Sequence, residues 1–459
     1  MASRRFELAS ELPVGAEEAY AWHTRPGAFE RLSPPWEGAR VLERHGDLAS
    51  GVVTLEVPIG PFRRRWVARH RDAVPGRRFV DEQVEGPFAR WVHTHHFEPL
   101  GSDRCRYIDR IEYELPFGAV GELGEGQVRA RMERIFRYRH LTLQQDLASH
   151  RRYPAAGPLD IAITGATGLI GRHLVPFLTT GGHRVRRVVR RATMSTDIPW
   201  DPASRRLDGA RLNGVDAVIH LAGEPIAGGR WTAERRRRIL ESRAQGTMLI
   251  ADTLAALPSP PRVLISASAV GVYGDRGAEE LTEESRLRTG PATLFVERVG
   301  HAWEAGAEAA DRAGIRVVRL RIGIVLTPDG GALAQMMPPF RAGVGGRLGS
   351  GVQYMSWIGI DDVLGAILHV LRTDALRGPV NVTAPGPVTN AEFTRQLGRI
   401  LGRPALLPVP AAALRLLLGE MADELLLASL RVRPERLLRS GYVFRQPTLA
   451  EALRHVLGR

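Results

Sequence analysis

The stretch Asp160-Ile-Ala-Ile-Thr-Gly-Ala-Thr-Gly-Leu-Ile-Gly171 decides the fold of the longer part of this chain. Its apolar beginning predicts a buried parallel strand, and the residues after Gly171 have the apolar period of a helix. Gly165, Gly168 and Gly171 lie between the two elements at intervals of three residues. A strand, a glycine turn and a helix in this order are typical of a dinucleotide-binding fingerprint.

Each glycine of this fingerprint has a physical task. The first allows a tight turn, the second lets the main chain approach a pyrophosphate, and the third lets helix and strand pack closely. The pyrophosphate then lies at the positive end of the helix dipole. We therefore predict that the cofactor contacts Gly165, Thr167, Gly168, Leu169, Ile170 and Gly171.

Two arginines follow the second predicted strand, His183–Val189. An acidic residue at this point would bind the ribose 2′-hydroxyl of NAD, whereas basic residues suit the 2′-phosphate of NADP. Arg190 and Arg191 occupy it, and a planar guanidinium can hold a phosphate by two hydrogen bonds. The prediction is therefore an NADP cofactor, with NAD as the alternative.

The third predicted strand ends in small residues. Gly214-Val-Asp-Ala-Val-Ile-His-Leu-Ala-Gly223 reads as a buried strand and a tight turn, which would let the main chain pass beneath the nicotinamide ribose. We predict cofactor contacts from Leu221, Ala222 and Gly223. Glu224 begins the loop that follows and could present a carboxylate to a substrate.

The basic residues of the chain are unusual in kind. The net charge is +13, and all 63 basic residues are arginine, because the sequence contains no lysine. A Schiff base, a Walker-type phosphate lysine and a Tyr-x-x-x-Lys dyad are therefore excluded. The arginines are dispersed among acidic residues rather than gathered on one element, so we expect no nucleic-acid partner.

Cysteine usage and hydropathy set the expected location. Cys105 is the only cysteine, which rules out an internal disulfide and a thiolate metal cluster. No run of 18 apolar residues occurs, and the first residues lack the apolar core of a signal peptide. We expect a cytoplasmic protein without a membrane span.

Residues 1–150 predict a separate α+β domain. Val52–Val57 and Tyr107–Leu115 alternate between apolar and polar residues, as half-buried strands do. A short helix over Ala16–His23 precedes the strands, and a long helix from about Gly126 to Ala148 follows them. This order describes a sheet curled round a helix.

This order resembles the START-like, or helix-grip, superfamily of ligand-binding and cyclase-like domains. The opening Phe6-Glu-Leu8 strand and the Leu32-Ser-Pro-Pro-Trp36 segment add to the likeness. The resemblance implies an apolar cavity between the sheet and the long helix, and with it an apolar ligand of unknown identity.

Three histidines of this domain raise the question of a metal. His93 and His95 would share one face of a strand, as two ligands can, whereas His96 would face the other way. Because no cysteine lies nearby and aromatic residues flank the segment, we predict no metal site and a polar, partly solvated strand. For Asp109 and His70 two interpretations stay open: a polar contact to a cavity ligand, or a satisfied polar network in the core.

Further motifs continue the fingerprint to the end of the chain. They are Gly223-Glu-Pro-Ile226, Trp231-Thr232, Ser266-Ala-Ser-Ala-Val-Gly271, Gly330-Gly-Ala-Leu333, Met355-Ser-Trp-Ile358 and Asp361-Asp362. Together they resemble an epimerase-like subfamily of the extended short-chain dehydrogenases/reductases, of the NAD-dependent epimerase/dehydratase type. The resemblance covers about two-thirds of the chain, from Asp160 onward. It implies an α/β Rossmann fold with a doubly wound parallel sheet, followed by a C-terminal helical domain.

The resemblance also implies where catalysis would occur. The catalytic serine or threonine of the superfamily falls at Ser268, with Ser266, otherwise a cofactor contact, as the alternative. The tyrosine and lysine of its proton relay are replaced by Phe295 and Val299, and neither side chain exchanges a proton. Tyr273 and Glu224 are then the candidate acids or bases. Arg321 would contact the cofactor or an anionic substrate, with a salt bridge as the alternative.

The predicted organisation has four parts. They are the START-like domain (1–150), a linker (151–158), the Rossmann domain with substrate-cleft insertions (159–385) and a C-terminal helical domain (386–459). Ala411–Leu430 predicts one long leucine-rich helix, which would close the substrate side or form a homodimer interface. The predicted function is an NADP-dependent oxidoreductase or epimerase of a small molecule; a cofactor-binding sensor or scaffold without turnover is the alternative.

Overall fold

The computed structural model describes residues 3–116, 118, 121, 123–153, 157–290 and 293–459. The chain forms two compact units. The first contains residues up to 157 together with 176–182 and 458, and the second contains the rest. None of the helices in these described ranges is both long and apolar enough to cross a membrane.

The first unit is built on a seven-stranded antiparallel sheet. Its strands are β1 (Arg4–Leu12), β2 (Arg40–His45), β3 (Val52–Ile59), β4 (Phe62–Val74), β5 (Arg78–Glu85), β6 (Arg90–Pro99) and β7 (Cys105–Glu114). They are ordered β1-β7-β6-β5-β4-β3-β2, so that consecutive strands pair except where β1 adds to β7. Within the described ranges, its helices with assigned bounds are α1 (Ala16–Thr24), α2 (Ala28–Leu32) and α3 (Glu125–Arg151).

The long helix α3 supplies much of the core of this unit. Met132 and Phe136 pack with aromatic residues of β6 and β7, whereas Leu143 and Leu147 pack with α1 and α2. The predicted helix-grip arrangement, with strands between a short early helix and a long final one, is confirmed. Helix α3 extends one residue into the predicted linker 151–158, of which residues 154–156 lie outside the described ranges.

The second unit is built on an eight-stranded sheet. Its strands are β8 (Asp160–Thr164), β9 (Arg184–Val189), β10 (Ile198–Asp201), β11 (Arg206–Leu207), β12 (Ala217–His220), β13 (Val263–Ala269), β15 (Arg316–Ile322) and β19 (Gly378–Val382). The order is β11-β10-β9-β8-β12-β13-β15-β19, and every pair is parallel except β10 with β11. The predicted doubly wound Rossmann sheet is confirmed, and its central strands β8, β12, β13 and β15 are almost entirely buried on both faces, as parallel strands usually are.

Helices cover this sheet and continue to the end of the chain. They are α4 (Gly171–Thr180), α5 (Ala233–Ala255), α6 (Phe295–Ala305), α7 (Glu308–Arg312), α8 (Gly331–Arg341), α9 (Ile360–Arg372), α10 (Asn390–Leu401), α11 (Ala411–Leu418), α12 (Glu435–Arg439) and α13 (Leu449–Leu457). Three small sheets pair β14 (Glu280–Leu281) with β21 (Arg431–Val432), β16 (Ile324–Leu326) with β18 (Trp357–Gly359), and β17 (Tyr354–Met355) with β20 (Val388–Thr389).

The C-terminal helical prediction needs one correction. The single helix expected over 411–430 ends at Leu418, because Gly419 adopts a φ of 64°, a left-handed conformation that stops a helix. A short π-helix over Ala422–Leu427 follows instead. The break leaves Leu416 and Leu417 exposed, at 77% and 67% of their surface. The four predicted domain boundaries stay predictions.

Candidate functional site

The glycine fingerprint follows β8, the strand at which the order of strand addition reverses. From β8 the chain passes to β9 on one side, and it later returns to β12 on the other side of β8. In open parallel sheets, ligands bind outside the carboxyl ends of the strands at such a switch point. The turn after Thr164 and the turn after His220 meet there, since Thr164 and His220 are paired in the register of β8 and β12.

Two glycines of the fingerprint leave no room for a side chain. Gly165 has a φ of 68°, and a Cβ on it would lie 2.8 Å from the amide nitrogen of Ala222. A Cβ on Gly171 would lie 2.2 Å from the carbonyl oxygen of Gly165. Gly168 is less confined, because its Cβ would lie 3.2 Å from that same oxygen, and it is exposed. The crowded glycines close the turn, and the exposed one leaves main chain open to a ligand.

A hydrogen-bonded pair joins the two strand ends. Thr164 Oγ1 and His220 Nδ1 are 2.7 Å apart, and the amide of Ala222 donates to Thr164 Oγ1 at 3.3 Å. His220 is fully buried, and burial lowers the pKa of its imidazole to about 4. His220 therefore positions the turn of Leu221, Ala222 and Gly223 as a neutral ring, in agreement with a structural role.

The loop before α8 packs against the beginning of α4. Arg172 donates to the carbonyl oxygen of Asp329, and His173 Nε2 lies 3.1 Å from Asp329 Oδ2. Burial alone would raise the pKa of Asp329, but the hydrogen bonds from His173 and Thr327 outweigh burial and lower the pKa to about 2. The carboxylate is therefore ionised. A Cβ on Gly330 would lie 2.6 Å from the end of the Leu169 side chain, so this loop packs closely against the fingerprint.

The arginines after β9 differ in their partners. Arg187 is held in an ion pair with the buried carboxylate of Asp197 at 2.7 Å. Arg190 and Arg191 are exposed and make no ion pair with any residue that the structure describes. Their guanidinium groups are therefore available to a ligand at the end of β9.

Three of the predicted site residues meet in one buried cluster. We call it the Arg–Glu cluster; its members are Ser268, Tyr273, Glu304, Arg321 and Asn381. Arg321 donates to both carboxylate oxygens of Glu304, at 2.8 and 2.9 Å, and to the hydroxyl of Tyr273 at 2.9 Å. Ser268 also donates to Glu304, at 2.8 Å. The salt-bridge alternative for Arg321 is thus the observed one.

Tyr273 is fixed in this cluster as a proton donor to protein groups. Its hydroxyl donates to Asn381 Oδ1 at 2.8 Å, and its side chain is fully buried. Burial raises the pKa of the phenol above its ordinary value, although Arg321 opposes the shift. Sequence reasoning missed Glu304 and Asn381, which complete the cluster.

The remaining predicted residues lie at the rim of the sheet. Ser266 is buried beside His220 in the register of β12 and β13, and its hydroxyl donates to the carbonyl of Ala267 at 3.3 Å. Glu224 is half-buried, and its main chain contacts Ser242 and Arg243. The carboxylate of Glu224 makes no hydrogen bond with the described residues.

Comparison with known proteins identifies the family of the second unit. Residues 161–383 match the NAD dependent epimerase/dehydratase family. An epimerase family protein of Mycobacterium bovis is 42% identical over 294 residues, which cover 64% of this chain and 96% of the relative. The chain belongs to the epimerase family.

Other parts of this epimerase family chain match as well. Residues 409–456 match a domain of unknown function, and residues 12–137 match the polyketide cyclase / dehydrase and lipid transport family. A crystal structure described as the nucleoside-diphosphate sugar epimerase from Corynebacterium glutamicum is 32% identical, with a TM-score of 0.80, and covers 99% of this chain and 90% of its own. The human epimerase family protein SDR39U1, crystallised with NADPH, is 34% identical, with a TM-score of 0.60, over 65% of this chain and 99% of its own.

In this epimerase family chain, Phe295 and Val299, which were expected at the positions of the catalytic tyrosine and lysine, are core residues. Phe295 begins α6, is buried, and packs edge-on against Trp231 with ring centroids 5.0 Å apart. Val299 is buried in the same apolar group.

Glu424 is a buried capping residue that sequence reasoning missed. Its carboxylate accepts hydrogen bonds from the amides of Phe295 and Val296, at 3.2 and 2.8 Å, and so caps the amino end of α6. Burial raises its pKa above the ordinary value. The only signal in the sequence is a pair of acidic residues, Asp423 and Glu424, inside an apolar run.

An arginine-lined pocket lies near the amino end of α6. Its volume is about 540 Å³, and its lining includes Arg276, Arg286, Arg288 and Thr293. Glu279 pairs with Arg276, and Glu297 pairs with Arg288. Since Arg286 makes no ion pair with a described residue, the pocket retains positive charge.

Proposed function

We propose that the second unit binds NADP(H) and acts as an oxidoreductase of the epimerase type on a small molecule. The glycine turn at the switch point carries this proposal. There a Cβ on Gly165 would meet the main chain at 2.8 Å, while Gly168 stays exposed. Such a turn suits a pyrophosphate at the beginning of α4. That human SDR39U1 was crystallised with NADPH supports the choice of cofactor.

We assign the cofactor's 2′-phosphate to Arg190 and Arg191. Both are exposed and free of ion pairs with described residues, at the end of the strand that follows the fingerprint helix. The ribose of NAD would leave these charges without a partner, so NAD is the weaker alternative. When bound, NADP(H) supplies the hydride, and the protein supplies orientation and proton transfer.

The substrate that fits best is an anionic small molecule. The pocket with Arg276, Arg286 and Arg288 would hold a phosphate or diphosphate by charge-assisted hydrogen bonds. The Corynebacterium structure that resembles nearly the whole chain is described as a nucleoside-diphosphate sugar epimerase. A nucleoside-diphosphate sugar is therefore the first substrate to test.

For proton transfer we favour Glu224 over Ser268 and Tyr273. The carboxylate of Glu224 is half-buried and free of hydrogen bonds with described residues, so it can exchange a proton. Ser268 and Tyr273 each donate their hydroxyl proton to another protein group. In this proposal Ser268 and Tyr273 hold the Arg–Glu cluster together.

Absence of turnover is the second candidate function, and specific contacts favour it. Phe295 and Val299 are buried where the proton relay of the superfamily would stand. The Arg–Glu cluster satisfies its own charges and hydrogen bonds internally. A chain of this kind would bind NADP(H) as a sensor or scaffold.

One experiment separates these two functions. The full chain is titrated with NADPH and NADH in a calorimeter, and is then incubated either with deuterated NADPH and ketones or with NADP+ and nucleoside-diphosphate sugars. Deuterium in the alcohol formed from a ketone, or a sugar with one inverted carbon, lost in Glu224→Gln, would support the enzyme. Tight NADPH binding without either product would favour the silent alternative. Absence of nucleotide binding in folded protein, or a Gly165→Val variant that binds as well as wild type, would refute both.

For the first unit we propose an apolar ligand between the sheet and α3. The match to a family of cyclases and lipid-transport proteins supports it, as do the aromatic side chains of Trp66, Phe88, Trp91 and Phe136 on that face.

We also propose that the chain forms a homodimer, which the exposed side chains of Leu416 and Leu417 support. Native mass spectrometry of the purified chain tests both proposals, because it reports retained ligand and subunit number together.

A further inference from the structure

Histidine and aspartate side chains gather on the inner face of the sheet of the first unit. We call this group the His–Asp cluster; its members are His70, Asp81, His93, His95, Asp109 and His140. The segment around His93 was expected to be partly solvated, but His93 and His95 are 5% and 1% exposed. Of the three histidines of this segment, only His96, on the other face of β6, is half-buried.

Strand register brings the central members together. Asp81 on β5 lies directly opposite His93 on β6, and His95 lies two residues further along β6. Alternate residues of a strand share one face, so His93 and His95 point to the same side. Side chains opposite each other on neighbouring strands lie close enough to interact. Asp81 is 12 residues from His93 in sequence, and for that reason the sequence pattern did not reveal it.

We propose that Asp81, His93 and His95 bind a divalent transition-metal ion of the zinc type. Two imidazole nitrogens and one carboxylate oxygen form a known kind of three-residue zinc site with an open position. The proposal is independent of the function of the second unit. It replaces the expectation of no metal, which rested on the absence of a nearby cysteine and on the flanking aromatic residues and did not consider Asp81.

The distances suit such an ion. Asp81 Oδ2 is 3.1 Å from His95 Nε2 and 3.8 Å from His93 Nδ1. All three ligand atoms lie within 4.8 Å of one another. Zinc bonds to nitrogen and oxygen are about 2.0–2.2 Å long, so tetrahedral ligand atoms are separated by about 3.3–3.5 Å. The two distances to Asp81 Oδ2 bracket this separation, and rotation of the side chains would bring the three atoms into a tetrahedral arrangement.

In each proposed ligand, the side-chain atom that does not face the ion has its own polar partner. The other ring nitrogens, His93 Nε2 and His95 Nδ1, both lie 2.9 Å from Asp109 Oδ1. The second oxygen of Asp81 lies 2.8 Å from His70 Nε2. Metal-binding histidines almost always donate their second N–H to a carboxylate, a carbonyl or water, which fixes the ring orientation. Asp109, itself 3.1 Å from His140, would serve both rings.

The hydrogen-bond geometry leaves a gap that a cation would fill. In the tautomer of His93 that donates Nε2–H to Asp109, the Nδ1 lone pair faces Asp81 Oδ2 at 3.8 Å. Asp81 Oδ2 also lies 3.1 Å from His95 Nε2 and accepts its proton when that nitrogen is protonated. A metal ion would replace that proton and would bind His93 Nδ1, His95 Nε2 and Asp81 Oδ2 together.

The site has an approach from solvent and a free coordination position. The side chain of Asp81 is 24% exposed, whereas those of His93 and His95 are 6% and 2% exposed. Three protein ligands leave the fourth position for water or for an oxygen of a bound molecule. The class of ligand that fits is a molecule with an apolar body and a carboxylate, enol or phenol oxygen.

The test uses the full chain without an affinity tag, stripped of metal by a chelator. Zn²⁺ is titrated by calorimetry, and Co²⁺ is added to report tetrahedral coordination by its visible absorption. We expect one equivalent of metal in wild type and at least about 10-fold weaker binding in Asp81→Asn and His95→Asn. Asp109→Asn should weaken binding about 10–100-fold through the orientation of the rings. His96→Asn is the matched control and should bind like wild type.

Two results would overturn the proposal. One is a wild-type chain that is folded by circular dichroism and takes up no Zn²⁺. The other is equal Zn²⁺ affinity in wild type, His96→Asn and Asp81→Asn. Asp81→Asn decides the outcome if His95→Asn fails to fold, because Asp81 is partly exposed and asparagine keeps its shape.

Discussion

The Arg–Glu cluster of the second unit and the His–Asp cluster of the first are both buried polar groups on a sheet, yet they differ in balance. In the Arg–Glu cluster, Arg321 pairs with both oxygens of Glu304, and the tyrosine and serine hydroxyls each have an acceptor. In the His–Asp cluster, His95 lies between the carboxylates of Asp81 and Asp109, whereas Nδ1 of His93 lies 3.8 Å from Asp81 Oδ2, beyond hydrogen-bond distance. The comparison teaches that a fully paired cluster holds a fold together, whereas a nitrogen without a hydrogen-bond partner inside a polar cluster is a position at which a ligand can bind.

The largest expected effect comes from unbalancing the matched cluster. Glu304→Gln would leave Arg321 buried without a countercharge and should destabilise the second unit by about 3–5 kcal/mol. Urea unfolding followed by tryptophan fluorescence measures the change. Glu279→Gln removes an exposed partner of Arg276 and should cost at most about 1 kcal/mol. Equal small losses in both variants would contradict the structural role of the Arg–Glu cluster.

A somewhat smaller loss of unfolding free energy is expected at low pH, because His220, a buried histidine outside both clusters, becomes protonated in the unfolded chain. The folded pKa of His220 is depressed to about 4, so as the pH falls below about 6.5 the unfolded chain takes up the proton first. Stability is therefore full above that pH and is lost as the pH falls, by about 3 kcal/mol at pH 4. His220→Gln should remove this part of the pH dependence, as measured by urea unfolding at several pH values. An unchanged pH profile in the variant would show that His220 is not the group responsible.

Unmatched charges at the surface are the next test of the comparison. Arg190→Ala with Arg191→Ala should weaken NADPH binding about 10-fold, equivalent to about 1.4 kcal/mol, and leave NADH binding unchanged. Calorimetric titration of both nucleotides measures the ratio. Arg237→Ala with Arg238→Ala, on the exposed arginine run of α5, is a control of equal charge. A loss of NADPH affinity in the control pair alone would refute the assignment.

The smallest expected effect is at the edge of the matched cluster. Ser268→Ala removes one of the hydrogen bonds to Glu304, and we expect a loss of about 1–2 kcal/mol in unfolding free energy. Ser268→Thr, which keeps the hydroxyl, is the comparison variant. If deuterium transfer also stops in the alanine variant while its fold is intact, Ser268 contacts the substrate as well. If stability is unaltered, the hydrogen bond to Glu304 contributes nothing to the fold.

Short-range pattern predicted much of the fold. It placed three features correctly to within a few residues: the turn from Gly165 to Gly171, the strand after Gly181 and the long helix from about Gly126. The helix over 411–430 was wrong, because one glycine with positive φ overrode a continuous apolar pattern. Helix boundaries depend on single residues in this way, whereas apolar period describes only the run between them.

What the sequence by itself determined is therefore the nucleotide turn and the two kinds of sheet, since strand, turn and helix are specified by neighbours within a few residues. Only the tertiary structure decided which polar residues face each other: Glu304 with Arg321, Glu424 with the amino end of α6, and Asp81 with His93 and His95. Those contacts depend on strand register and helix packing. Both are fixed by burial of the whole core, and the spacing of the residues along the chain carries no record of them.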